Sequence, residues 1–268
     1  MKPLCICASL LCWAVTAQAQ LPVATDGGAA NAASFERGVG VAPGSMVTIF
    51  GSSLAVGLTR LDSAPLSSTI ADVSVTFNGL PAPLQFVSES VISAQIPWQV
   101  LADPTVAGTA SVVATHLGTQ SQPVTVPIVP FAPAIHRFHT WTTQAMVFNA
   151  DGTLTAAAGA IDGVQSHPAA VGDTLLVYAN GLGAVTPAIG DGVNSQDTTR
   201  VTMATPTVLV QGVAAKVQFS GLSPKFPGMN LLSVIVPSGI TSGDQVPIQI
   251  QMGAITTTAQ LTIAVHAQ

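Results

Sequence analysis

Residues Val73-Ser-Val-Thr-Phe-Asn-Gly79 constrain this chain more than any others. Their strict alternation puts Val73, Val75 and Phe77 on one face of a strand and Ser74, Thr76 and Asn78 on the other. Asn78-Gly79 then supplies the dipeptide that best fits a two-residue hairpin turn. The pattern returns as Val208-Leu-Val-Gln-Gly212, with Gly212 lying 133 residues beyond Gly79, and Phe219 answers Phe86 at the same offset. Gly253 and Ile263 answer Gly118 and Ile128 at an offset of 135. A hairpin signal repeated in this way predicts two copies of one β-domain.

The entry strands fit the same scheme. Met46 to Phe50 is short, β-branched and aromatic, and it follows the turn residues Pro43-Gly44. Its counterpart lies in Val171-Gly-Asp-Thr-Leu-Leu-Val-Tyr-Ala-Asn-Gly-Leu-Gly183, with Tyr178 lying 128 residues beyond Phe50. Tyr178 is therefore expected in the core, its hydroxyl at the rim. Further strands are predicted at Leu84–Val87, Val91–Ile96, Ser111–Leu117, Val124–Val129, Pro247–Met252 and Leu261–Val265. Pro81 and Pro83 lack the N–H a ladder needs, so the piece after the first hairpin turn is expected to be an edge or irregular.

The apolar residues are cut into short pieces by 24 Gly and 19 Pro. Many short strands joined by such turns predict an all-β fold. The expected architecture is two tandem copies of one β-domain, a sandwich or barrel, behind a signal peptide; the resemblance described below implies that each is an immunoglobulin-like β-sandwich. The boundaries read as a signal peptide at 1–19, a lead-in at 20–41 and a first sandwich at 42–130. A bridge with its own β-hairpin (Gln144–Phe148, turn at Asn149–Gly152, return at Thr153–Thr155) occupies 131–168, and a second sandwich 169–268.

Met1-Lys2, the apolar Leu4–Val15 and the small-x-small Ala17-Gln18-Ala19 form a secretory leader. A secreted, periplasmic or cell-surface location follows as an expectation. The only cysteines, Cys5, Cys7 and Cys12, precede the expected cut, so each domain must hold together by its packed core alone. After the leader no apolar run approaches the ~20 residues of a spanning helix. Charged residues are 7% of the chain, against roughly 25% in an average soluble domain. The six basic residues outside the leader are scattered singly, which argues against a nucleic-acid partner.

Candidate chemistry is sparse. His136-Arg-Phe-His139 puts two imidazoles three apart, a spacing that faces opposite ways on a strand. Asp151-Gly152 and Asp191-Gly192 read as turns, with calcium loops as the alternative. A hydrolytic serine paired with His116, His167 or His266 is formally available, but no nucleophile-elbow or metalloprotease motif supports it. Trp98 and Trp141 are the candidate ligand-binding residues, as a platform for sugar rings. For Trp98 the favoured reading is that it caps the core or lines the interface between repeats. No catalytic residue, metal ligand or cofactor is expected.

Several stretches, taken in order, resemble a known family. They are Asn31-Ala-Ala-Ser-Phe35, Val41-Ala-Pro-Gly-Ser-Met-Val-Thr-Ile-Phe-Gly-Ser-Ser-Leu-Ala55, Val73 to Leu84, Ile92 to Val100, Tyr178-Ala-Asn-Gly-Leu-Gly183 and Phe219-Ser-Gly-Leu-Ser-Pro224. Together they are similar to the Solibacter-type C-terminal domain family of secreted acidobacterial proteins. The resemblance implies an extracytoplasmic protein built from immunoglobulin-like, IPT/TIG-type β-sandwich units, and it brings no catalytic residues with it. The expected function is non-catalytic interaction or adhesion at the cell surface, with an extracellular protein or polysaccharide as partner. The alternatives are a carbohydrate-binding module and a cryptic secreted hydrolase.

Overall fold

The computed structural model describes residues 21–139, 142–258 and 260–266. Trp141 and the leader with its cysteines lie outside the described residues. The first half comprises β1 (Val23–Asn31), β2 (Met46–Ser52), β3 (Thr59–Arg60), β4 (Thr69–Ile70), β5 (Val73–Phe77) and β6 (Leu80–Pro81). It continues with β7 (Leu84–Val87), β8 (Val91–Gln95), β9 (Gly108–His116), β10 (Thr119–Gln120) and β11 (Val124–Ile128). The second half contains β12 (Ala134–Ile135), β13 (Val147–Asn149), β14 (Thr174–Asn180), β15 (Val185–Thr186), β16 (Val201–Thr202) and β17 (Thr207–Val210). It ends with β18 (Val213–Leu222), β19 (Asn230–Ile235), β20 (Gly243–Met252), β21 (Ile255–Thr256) and β22 (Leu261–Val265).

Two separate cores organise these strands. In the first unit, the sheet β1-β2-β8-β7-β3 faces a second layer, β10-β9-β5-β4, with β11 beside β9 and β6 beside β5. Val47, Ile49, Ile92 and Leu84 from one layer meet Val75, Phe77, Val112 and Val126 from the other in one buried cluster. In the second unit, Leu175, Val177, Leu232 and Val234 meet Val208, Ile248, Ile250 and Ile263. Each cluster draws on alternate positions of its strands, the pleat burying one face and leaving the other toward water. The chain is a tandem of two immunoglobulin-like sandwiches.

The halves share detail well below the level of strand order. Both hairpin turns, Asn78-Gly79 and Gln211-Gly212, have positive φ at both central residues, the condition of a type I′ turn. A β-bulge falls between Leu84 and Phe86 in one copy and between Val217 and Phe219 in the other. At each bulge the extra residue is a glutamine that accepts a hydrogen bond from a serine on the next strand. Ser93 Oγ donates to Gln85 Oε1 (3.1 Å) and Ser233 Oγ to Gln218 Oε1 (3.2 Å). Val41 makes a parallel bridge to Ile128, as Ala169 does to Val265.

Three expectations need correction. The 20–41 segment is not a mere lead-in, because β1 pairs antiparallel with β2, Asn31 opposite Val47. The bridge at 131–168 carries its hairpin, with Phe148 opposite Leu154, but its strands β12 and β13 belong to the second sheet. Asn149 there lies opposite Leu175, which is 128 residues beyond Val47, so each copy begins one strand earlier than 42 and 169. The sequence of β1, Val-Ala-Thr-Asp-Gly-Gly-Ala-Ala-Asn, hides this because alanine and glycine carry little strand signal. Finally, Tyr178 is outside the core. Leu175, Val177 and Ala179 point inward, and the alternation sends Tyr178 to the outer face.

One difference between copies has a plain chemical cause. β18 runs unbroken, pairing with β17 through Val213–Ala215 and with β19 through Lys216–Leu222, so it joins both layers. In the first copy, Ala82 and Pro83 split the same run into β6 on one layer and β7 on the other. Proline's missing N–H forbids the continuous ladder.

A buried polar cluster joins the two units. Met46 N–H donates to Asn180 Oδ1 (3.0 Å), and Asn180 Nδ2 donates to Met46 O (2.7 Å) and Asn31 Oδ1 (2.9 Å). Asn31 Nδ2 in turn donates to Ala132 O (2.7 Å). Gly192 N–H donates to Gln95 Oε1 (2.6 Å). Asn180 has no exposed surface. Asn180→Ala leaves the Met46 N–H buried without its partner, at a cost of about 2 kcal/mol. Scanning calorimetry of that variant is expected to show a lower, split transition as the units uncouple. One coincident transition at the parental midpoint would count against this role for Asn180.

Candidate functional site

Trp98 sits at the junction of the two units. Its backbone N–H donates to Asp191 Oδ1 across the junction (2.8 Å). Its ring lies so close to Gly44 that a Cβ there would overlap it, and its Nε1 is buried with no hydrogen-bond partner. Trp98 lines a small gap shared by residues of both units, among them Pro43, Leu182 and Leu222. This is a wedge between repeats, the interface reading for Trp98, with the side chain half-buried. Asp191-Gly192 serves the same junction, since Gly192 O also accepts from Leu66 N (2.8 Å). Trp141 has no described position.

Asp151 and His167, distant in sequence terms, come together. His167 Nε2 lies 3.0 Å from Asp151 Oδ2 and its Nδ1 2.8 Å from Pro168 O. With an acceptor at each ring nitrogen, both nitrogens donate in the charged form. The Pro168 carbonyl, then Asp151, push the His167 pKa up. The Thr153 hydroxyl and N–H, then His167, hold Asp151 at about 2. The bond therefore contributes most below pH 6.5 and is lost as pH rises through the raised His167 value. Thr153 Oγ1 donates to Asp151 (2.7 Å), so this cluster closes the 149–153 turn. His116 Nδ1 lies 3.2 Å from Ser53 O, and His266 Nε2 lies 3.1 Å from Asp244 Oδ1. Among the described residues, no three His, Cys, Asp or Glu side chains are grouped to hold a metal ion.

The best-built surface is the outer face of β13, β14 and β19. Pairing register sets Phe148, Leu176, Ser233 and Phe219 in one row across four strands, with Tyr178 and Leu231 in the next. Rings meet edge-to-face along this face: His139–Phe138 (4.8 Å between centroids), Phe138–Phe148 (6.2 Å), Phe148–Tyr178 (5.8 Å) and Tyr178–Phe226 (6.0 Å). Successive planes differ by 65–90°. Edge-to-face pairs of this kind add about 1 kcal/mol each beyond buried area. All these rings remain half-buried, and Phe226 is 37% exposed. In the first copy Phe50 occupies the place of Tyr178, but the Arg37 guanidinium lies over it, 3.9 Å from the centroid.

The row reaches the first unit at a pocket of about 260 Å³ lined by Phe35, His136, Arg137, Phe138 and His139. Phe35 is 41% exposed and has a φ of 59°, unusual for a bulky residue. His136 lies beside Tyr178, its N–H donating to Tyr178 O (3.0 Å). Its Nε2 is sealed off without a partner, and burial lowers its pKa to about 4. The sequence concealed this face. In Thr174-Leu-Leu-Val-Tyr-Ala-Asn180 both faces of the strand are largely apolar, so periodicity could not tell in from out, and Phe226 arrives from a loop.

No protein-family model matches the sequence, and a search of curated proteins finds no match. Among solved structures, the chain is similar to the S-layer protein SbsC, domains 5–6, at 10% identity and a TM-score of 0.25, covering 92% of this chain and 98% of that one. The titin immunoglobulin tandem A164–A165 gives 9% identity and a TM-score of 0.24, covering 85% and 91%. The titin I9–I11 tandem gives 10% and 0.22, covering 86% of this chain, which spans 63% of that structure's length. At such scores the fold rests on the sheet order and register described above.

His136 makes the junction pH-sensitive. Its folded pKa lies below the ordinary 6.5, so the unfolded chain binds the extra proton first and stability falls as pH drops from 6.5 to about 4. Urea midpoints measured across that window should flatten in His136→Phe. An unchanged slope would remove His136 from the account.

Proposed function

We propose that this protein is an extracytoplasmic, non-catalytic interaction module that binds through the outer face of its second sandwich. The observation that carries the reading is the half-exposed row Phe138, Phe148, Tyr178 and Phe226. Contiguous apolar surface of this kind, left open on a folded unit, is a common mark of a binding site. The scaffold beneath it is stiffened by two packed cores and by the Asn180 cluster, so little ordering is needed on binding. The leader supports export, and the motif series supports membership of the Solibacter-type family.

A platform for sugars at Trp98 is the weaker reading, because that ring is wedged against Gly44. The ring row is also ill-suited to it, since a flat sugar face stacks on coplanar rings and these stand at steep angles to one another. A hydrolase reading lacks a nucleophile: the described hydrogen-bond partners of His116, His167 and His266 are backbone carbonyls, Asn149, Asp151 and Asp244, with no serine hydroxyl among them.

The test is retention on a cell-envelope preparation from the producing organism. Tyr178→Ala/Phe226→Ala should lose retention at least about fivefold while keeping its thermal midpoint within a few degrees. Phe50→Ala, on the matching face of the first unit, should retain parental binding. Equal retention by all three proteins would overturn the assignment of the face. Robust turnover in an esterase or glycosidase panel would overturn the non-catalytic reading.

A further inference from the structure

The cations around the ring row say what kind of partner it takes, an inference that rests on the face proposed above. Six basic residues lie outside the leader. Three are committed elsewhere: Arg37 covers Phe50, Arg60 pairs with Asp62 (2.8 Å), and Arg200 forms a two-pronged bridge to Asp197 (2.6 and 3.0 Å). Of the other three, Arg137 and Lys225 flank the ring row, and Lys216 lies across the same sheet. Arg137 lines the pocket beside Phe138, and Lys225 immediately precedes Phe226. Lys216 stands on the outer face of β18, opposite Ile235, with Phe219 farther along the same face. Among the described residues none of these three makes an ion pair. Arg137 donates one bond, from Nη1 to Thr142 O (2.9 Å), which leaves most of its fork for a ligand.

A cationic rim on a chain of net charge −5 runs against the composition. The rings it flanks are set edge-to-face, and steeply angled rings give an uneven surface that suits branched aliphatic side chains better than a flat one would. The pocket at Phe35, His136 and Phe138 is large enough, at about 260 Å³, to admit one such side chain, with Arg137 at its wall to meet a carboxylate. We propose that the face binds a polypeptide segment in which acidic and aliphatic residues alternate. The carboxylates meet Arg137, Lys216 and Lys225, and an aliphatic anchor enters the junction pocket. An anionic polysaccharide would satisfy the rim, but it would leave the pocket unfilled.

The experiment uses the mature two-unit protein with four probes: acetylated (Glu-Leu-Gly)4, (Gln-Leu-Gly)4 and (Lys-Leu-Gly)4 peptides, and polygalacturonate. Ring-proton NMR shifts of Phe138 and Tyr178 report binding at the face. The acidic peptide should bind at least ~10-fold more tightly than the lysine peptide and weaken steeply with added salt. Lys216→Gln/Lys225→Gln, at exposed positions whose side chains carry no described bond, should weaken it several-fold, and Arg137→Gln should add to that. Equal affinity for the glutamate and lysine peptides overturns the acidic-partner inference. Shifts with polygalacturonate and not with the acidic peptide replace the polypeptide by a glycan and leave the face itself standing. If no probe moves either ring, the inference falls, and the envelope-retention test decides separately whether the face binds anything.

Discussion

One carboxamide governs how the two halves meet. Asn180 answers both the N–H and the carbonyl of Met46, at the first residue of β2, and passes a further bond through Asn31 to Ala132. Buried amides without partners are expensive, so this geometry tolerates little rotation or sliding between the sandwiches. Most immunoglobulin-like tandems are joined by linkers that permit domain motion by default. Here the connecting residues around Ala132 are themselves part of the bonded cluster, and Gln95 reaches Gly192 from the other side. The ring row and the junction pocket depend on that arrangement, since Phe35 comes from the first unit and Phe138 from the second.

Much of the fold was legible because turn chemistry and alternation agree. Asn78-Gly79 and Gln211-Gly212 marked the same hairpin in two places, and the copies match down to the bulge at Gln85 and Gln218. What stayed hidden did so for physical reasons. β1 buries only small residues and Asn31, while its one larger apolar residue, Val23, is exposed, so it offers no large buried apolar residues to count. β14 is apolar on both faces, one for the core and one for the ring row, which made Tyr178 look like a core residue. The junction was half visible: Trp98 suggested an interface, but nothing in the spacing of Asn31, Asn180 and Gln95 announces that they meet.

Apart from the split of β18 into β6 and β7, the two copies differ most at their outer faces and at the junction. Both keep an aromatic ring at the same outer position, Phe50 and Tyr178. In the first copy a guanidinium lies over the ring; in the second, other rings flank it at right angles. The edge of the first entry strand carries Gly44 so that Trp98 can lie against it, a demand with no counterpart at Gly172, which has open space beside it. One copy has thus been shaped to receive its neighbour and the other to present a surface.

The unbroken β18 bears on how this molecule would respond to force. A single strand that serves both layers of the second sandwich ties them together covalently, so prying those layers apart requires tearing a ladder along its length. In the first sandwich the chain passes between the same two layers at the Ala82-Pro83 step, where Ala82 N–H bonds to Val75 O (2.9 Å) on one layer and Pro83 O accepts from Gln95 N–H (2.8 Å) on the other, but Pro83 has no N–H to continue the ladder. Under tension the first sandwich would then yield before the second.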